Sequence, residues 1–172
     1  GAGSEGSIRK AAASGFNILL DHWADTDRII ERMNWYRDSK ASTGIAARPD
    51  QIGVTRALLV SNDPAERDAF IGARAKFLID SGAMKSGAAG PGVSGIGGKV
   101  SGFSSEEQAW KMAEAAAVVG TGDEVVAKLG ELQRAGVEYV LLVDAAASID
   151  SLRKFAEEVM PAFADREQVA AA

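Results

Sequence analysis

Three short apolar runs limit the folds open to this chain. They are Gly15-Phe16-Asn17-Ile18-Leu19-Leu20-Asp21, Ile52-Gly53-Val54-Thr55-Arg56-Ala57-Leu58-Leu59-Val60 and Val137-Glu138-Tyr139-Val140-Leu141-Leu142-Val143-Asp144. Near-continuous apolar character over so short a length is the pattern of strands buried in a parallel sheet. Parallel neighbours need crossovers, and helical segments lie before, between and after the three runs. The order read from the sequence is helix, strand, helix, strand, helix, loop, helix, helix, strand, helix. With right-handed crossovers this is an α/β fold. Three strands, and a fourth expected ahead of Gly1, form either a small open sheet or an arc of a barrel.

The helix boundaries carry their own signals. An alanine-rich helix covers roughly residues 4–14. Asp25, Thr26 or Asp27 caps the next, which sets Ile29, Ile30, Met33 and Tyr36 on one face and stops near Gly44. Asp63 as N-cap, Pro64 in the first position and Glu66 at capping-box spacing open a third. Its inner face is Phe70, Ile71, Phe77 and Leu78, with Arg74 at the edge. Ser104-Ser105-Glu106-Glu107 starts a short helix through Trp110 and Met112. Thr121 and Glu124 cap one that buries Val125, Val126, Leu129 and Leu132 and ends at Gly136. The last, from Ser148 or Asp150, aligns Leu152, Phe155 and Val159 and stops at Met160-Pro161, leaving an alanine-rich tail to fray.

A length of 172 residues suits a single domain, 1–172, with one sizeable core. The net charge of −5 provides no electrostatic reason to bind nucleic acid or an anionic membrane. The absence of cysteine excludes disulfides, thiolate metal sites and cysteine nucleophiles, and the single histidine, His22, excludes a multi-histidine centre. No metal is expected. No apolar run approaches the ~20 residues of a membrane span and no signal peptide is visible, so the expected address is cytoplasmic.

Two glycine-rich stretches carry the functional argument. The first, Gly1-Ala2-Gly3-Ser4-Glu5-Gly6-Ser7, runs directly into a helix. It offers unpaired backbone N–H groups, serine hydroxyls and the positive end of a helix dipole, which together suit a phosphate. An ordinary N-terminus with Ser4 as N-cap reads equally well from these residues alone. No methionine precedes Gly1, and the chain reads as part of something longer. The second stretch, 81–103, is an insertion loop too rich in glycine for a core element: an active-site lid, a disordered insertion or a small folded module. In a parallel sheet the residues after each strand share one rim, so Gly3–Ser7, Asp21-His22, Ser61-Asn62 and Asp144 are expected together there.

Several stretches in order resemble the luciferase-like monooxygenase superfamily, the flavin- or deazaflavin-dependent (β/α)8 TIM barrels. Gly1-Ala2-Gly3-Ser4-Glu5-Gly6-Ser7-Ile8-Arg9-Lys10-Ala11-Ala12 resembles the family's segment after its fifth strand, which helps hold the cofactor phosphate. Tyr36-Arg37 is similar to a recurrent Tyr-Arg. Val119-Gly120-Thr121-Gly122-Asp123-Glu124-Val125 resembles a Gly-Thr-Pro-Glu-Glu-Val signature, with Gly122 where proline is usual. Ala135-Gly136-Val137 into Val140-Leu141-Leu142, then Phe155-Ala156-Glu157-Glu158-Val159-Met160-Pro161, resembles the closing strand and helix.

The resemblance covers nearly the whole chain but only the C-terminal half of the family's barrel, with strands one to four missing. It implies reduced FMN and oxygen acting on a small organic substrate, with F420 as the alternative cofactor. Such cofactors carry the chemistry while the protein binds, orients and excludes water. The resemblance points to Gly3, Ser4, Glu5, Gly6 and Ser7 for the cofactor phosphate, with the Glu5 side chain turned to solvent. It leaves the catalytic residues unassigned and His22 as a weaker substrate candidate. The implied partners are the missing N-terminal half of the barrel and further copies of the chain, because a half-barrel exposes strand edges. A non-catalytic half-barrel that binds a phosphorylated ligand or a partner chain is the other reading.

Overall fold

One strand organises the molecule. In the computed structural model, which describes residues 3–88 and 105–164, the order is α1 (Glu5–Ala13), β1 (Ile18–Leu20), α2 (Thr26–Ser42), β2 (Ile52–Val60), α3 (Pro64–Ala88), α4 (Glu106–Ala115), β3 (Ala117–Gly120), α5 (Gly122–Arg134), β4 (Tyr139–Val143) and α6 (Ile149–Lys154). A π-helical turn, Phe155–Val159, and a 3-10 turn, Met160–Ala162, continue α6. β1, β3 and β4 all pair in parallel with β2. β1 and β4 both pair with Gly53 and Val54, so they flank opposite edges of β2. β3 and β4 both pair with Ala57, which puts β3 on the β1 edge, beyond the end of β1.

This order explains why all nine residues of β2 are buried. A right-handed crossover from β1 to β2 puts α2 on one face. The chain then steps back from β2 to β3, so a crossover of the same hand sends α3 and α4 to the other face. The step from β3 to β4 returns α5 to the first. The packing follows this alternation. Ile52 and Val54 join Ile8, Ile29, Met33, Tyr36 and Leu132, while Leu58 and Val60 join Val125 and Val159. Ala57 and Leu59, on the opposite face, join Phe70, Ile71, Leu78, Ala109 and Ala113.

The caps form largely where the sequence places them. Ser4, Asp25, Ser105, Thr121 and Ser148 each accept a backbone N–H in the first turn of their helix, and Thr121 and Glu124 close a reciprocal box. Glu66 departs from expectation, because it takes the Ser61 hydroxyl instead of closing a box with Asp63. Four further expectations are corrected. The fourth strand of the sheet is Ala117–Gly120, where the sequence suggests only the lead-in to α5. The stretch 81–103 is not loop from its start, since α3 continues through Ala88; extending a formed helix adds a bond per residue and needs no new nucleus. Residues 89–103 lie outside the described residues. Phe77 is exposed and stacks on Trp23, with ring centroids 5.4 Å apart, instead of entering the core. Leu152 is also exposed, and Ser151 takes the inner position ahead of Phe155 and Val159.

β4 is partly buried, and on one face only, through Val140 and Leu142. Tyr139, Leu141 and Val143 stand opposite Gly53, Thr55 and Ala57 on the face that α3 and α4 cover only further along β2, and all three are exposed. A Cβ on Gly53 would lie 2.7 Å from the Tyr139 ring and 2.8 Å from Leu19 Cδ1, so the two side chains close over the glycine.

Candidate functional site

The carboxyl ends of parallel strands face one way, so Asp21, Ser61, Thr121 and Asp144 follow β1, β2, β3 and β4 at the same end of the sheet. The rim is stepped. β1 ends level with Val54, β4 level with Ala57, and β3 level with Val60. Six residues of strand separate the lowest step from the highest, roughly 20 Å at about 3.3 Å per residue. Asp21 and Asp144 therefore sit on the lower steps at opposite edges of β2, while Ser61 and Asn62 stand higher, beside Thr121.

The amino end of α1 is exposed from Ser4 to Ser7. Ser4 and Ser7 are brought together in a capping box: the Ser7 N–H donates to Ser4 Oγ (3.3 Å), and the Ser4 N–H donates to Ser7 Oγ (3.2 Å). The Ser7 hydroxyl also donates to the Ser4 carbonyl at 2.9 Å. Helix geometry leaves the N–H groups of Glu5 and Gly6 pointing out of the helix end. A Cβ on Gly6 would have nothing within 4 Å, so the approach to these groups is open. The Glu5 carboxylate is drawn back along the helix to Arg9 (2.8 Å) and does not cover the amino end. Among the described residues, no hydrogen bond joins this segment to Asp21, His22, Ser61 or Asp144.

The residues after β1 form a second polar assembly. Asp21 Oδ1 accepts the N–H groups of Trp23 (2.9 Å) and Ala24 (3.1 Å), and Oδ2 accepts from Arg32 Nη1 at 2.6 Å. Burial pushes the Asp21 carboxyl up, but the Trp23 N–H, the Arg32 guanidinium and the Ala24 N–H outweigh it and hold the group below its usual range. The His22 carbonyl accepts from Arg74 Nη2 at 3.1 Å. Burial lowers the imidazole pKa, Arg74 and Arg56 lower it further, and Asp21 opposes them. The Arg74 guanidinium lies 4.3 Å over the Trp23 ring, and burial brings its pKa down to about 10. A half-buried imidazole whose pKa is lowered first by burial and then by cations favours the neutral form, which can donate or accept one hydrogen bond to a substrate, and that is the chemistry available to His22.

The Tyr-Arg pair is structural. Tyr36 donates its hydroxyl to the Phe16 carbonyl at 2.9 Å, and Arg37 Nη2 donates to the Gly136 carbonyl at 3.0 Å, tying α2 to the turn before β4. The residues missed from sequence are the buried arginines 32, 56 and 74. The available signal was a cation within an otherwise apolar face, plainest for Arg56 in the middle of a strand.

The fold is found in solved structures. Monooxygenase RslO1 from Streptomyces bottropensis aligns over 95% of this chain and 46% of its own, with a TM-score of 0.64 and 19% identity. The coenzyme F420-dependent tetrahydromethanopterin reductase from Methanopyrus kandleri aligns over 95% and 50%, with a TM-score of 0.63 and 20% identity. The oxygenating constituent of 3,6-diketocamphane monooxygenase from Pseudomonas putida, solved with FMN, aligns over 91% and 45%, with a TM-score of 0.57 and 17% identity. The chain has the fold of part of a luciferase-like barrel. It spans about half the length of each of these luciferase-like chains. No protein-family model and no curated protein matches the sequence, so this likeness is one of fold. Among the described residues, no helix is long and apolar enough to cross a membrane.

Proposed function

We propose that this chain is the C-terminal half of a cytoplasmic luciferase-like oxidoreductase that uses reduced FMN and O2 on a small organic substrate. Gly3, Ser4, Glu5, Gly6 and Ser7 hold the cofactor phosphate. The observation that carries the reading is the amino end of α1, with outward N–H groups, two serine hydroxyls and an acid drawn back to Arg9. A phosphate there accepts from the backbone and replaces the Ser4–Ser7 pairing with charge-assisted bonds. When bound, the reduced flavin supplies the oxygen chemistry, and this chain contributes binding, orientation and a wall against water. His22 faces substrate as a neutral hydrogen-bonding group. The preceding half of the barrel completes the site, and further copies of the chain associate through the apolar face of β4. F420 is the alternative cofactor, because its phosphate suits the same segment and F420-dependent enzymes share the fold.

The test is a fluorescence titration of FMN and of F420 against the chain completed by the preceding half of a luciferase-like barrel. Binding of FMN that weakens about tenfold in Ser4→Ala/Ser7→Ala, with the fold intact by thermal melting, supports the assignment. Binding of F420 alone selects the alternative cofactor. Failure of both to bind leaves the non-catalytic half-barrel.

A further inference from the structure

A second polar feature lies away from the amino end of α1. A crevice of about 330 Å³ opens between the start of α2, the end of α4, β3 and α5. Arg56 reaches it from the middle of β2, and Lys128, Thr26, Glu114 and Glu131 border it. Arg56 is only 2% exposed. Its Nη1 donates to the Asp21 carbonyl at 3.3 Å and the Thr55 carbonyl at 3.2 Å, while Nη2 is buried with no hydrogen-bond partner. No carboxylate among the described residues lies within ion-pair distance of it.

A buried guanidinium whose hydrogen bonds are two long ones to neutral carbonyls is held against a large desolvation cost that the nearby Asp21 and Asp25 carboxylates offset only in part, and an anion reaching Nη2 would relieve it further. Two further features favour a negative group. Lys128 is a second cation on the wall, anchored by a 2.8 Å bond to the Val119 carbonyl that uses one of its three protons. Thr26 is the first residue of α2, a 17-residue helix whose dipole is positive at that end. Asp25, which caps the same helix, works against an anion, as do Glu114 and Glu131. All three of these acids are exposed and screened by water, and the half-buried Asp21 carboxylate, which also acts on Arg56, is committed to Arg32 and to the Trp23 and Ala24 N–H groups, so the desolvated Arg56 charge dominates the interior of the crevice.

We propose that this crevice binds a small ligand through an oxyanion, a carboxylate or a phosphate, seated on Arg56 Nη2. The site is separate from the proposed cofactor segment and does not depend on it.

The test titrates the intact chain with inorganic phosphate and, separately, with acetate at constant ionic strength. The readout is NMR at the Arg56 guanidinium and at the Thr26 and Val118 amides. The proposal expects saturable shifts at all three that chloride does not reproduce. Arg56→Met, which removes a buried charge and keeps the stem, should abolish them. Glu131→Gln should tighten the anion about threefold by removing a nearby negative charge, and this arm stands even if the methionine variant does not fold. Tighter phosphate assigns a phosphorylated ligand, and tighter acetate assigns a carboxylate. Shifts that do not saturate with either anion, shifts retained in a folded Arg56→Met, or an unchanged affinity in Glu131→Gln overturn the proposal.

Discussion

Val60 donates its backbone N–H to the Ser151 hydroxyl at 2.9 Å, and both residues are buried. The bond repairs a gap in the sheet. The N–H of Ser61 turns to the β3 edge and meets the Gly120 carbonyl at 2.9 Å, so the N–H of Val60 turns to the other edge, where β4 has already ended level with Ala57. Ser151→Ala leaves that N–H buried without a partner and should lower unfolding free energy by about 1–3 kcal/mol in urea denaturation. A loss well under half a kcal/mol would mean that water takes over the role.

Gly136 and Arg37 make a second such joint. Gly136 ends α5 at φ +84, a left-handed conformation that costs other L-residues roughly 1–2 kcal/mol. A Cβ there would also lie 2.9 Å from Arg37 Nη2, which donates to the Gly136 carbonyl. Gly136→Ala should therefore destabilise by more than the backbone term alone. In an Arg37→Ala background the same substitution should cost measurably less, because only the φ penalty is left. Strict additivity in a double-mutant cycle by chemical denaturation would contradict this.

The difference between what the sequence reveals and what it hides follows from range. Asp25, Thr121 and Glu124 are legible because capping acts within four residues, and β2 is legible because a strand buried on both faces must be apolar throughout. β3 is hidden because its four residues pair only where β2 outruns β1, and register does not show in composition. The stepped rim is hidden for the same reason. Arg56 and Arg74 look like breaks in apolar faces, and only the fold shows that they converge on the residues after β1. Leu152 misleads because the π-helical turn after Lys154 changes the angular spacing of the last helix, so a regular helical stripe no longer describes its buried face.

Acid should weaken the fold in two stages with separate causes. Burial and the cations Arg74 and Arg56 hold His22 below its ordinary pKa of about 6.5, against the pull of Asp21. The unfolded chain then binds the proton first, so the contribution of His22 is complete above about pH 6.5 and declines as pH falls through that value. Asp21 is held below its ordinary value of about 3.9, so its contribution is complete above that pH and is lost as pH falls further, through its folded pKa. Urea unfolding between pH 7.5 and 5 should show a slope that His22→Gln removes, and the same series carried below pH 4 should show the Asp21 stage retained in the variant. An unchanged slope in the variant would place the titration elsewhere.

The bare face of β4 sets the last expectation. Leu19, Tyr139, Leu141 and Val143 are 47%, 52%, 42% and 39% exposed, and among the described residues β4 pairs with β2 alone, so that an apolar surface adjoins a strand edge that no described strand covers. A surface of that kind drives association, through burial of the side chains and through pairing of the edge. Sedimentation velocity of the chain alone should show species that grow with concentration over a tenfold range. Leu141→Lys places a charge at the centre of the face without touching the buried side of β4, and should return the chain to a monomer with its melting transition retained. A wild-type chain that stays monomeric over that range would mean that the side chains closed over Gly53 already shield the face, and association would have to be sought elsewhere.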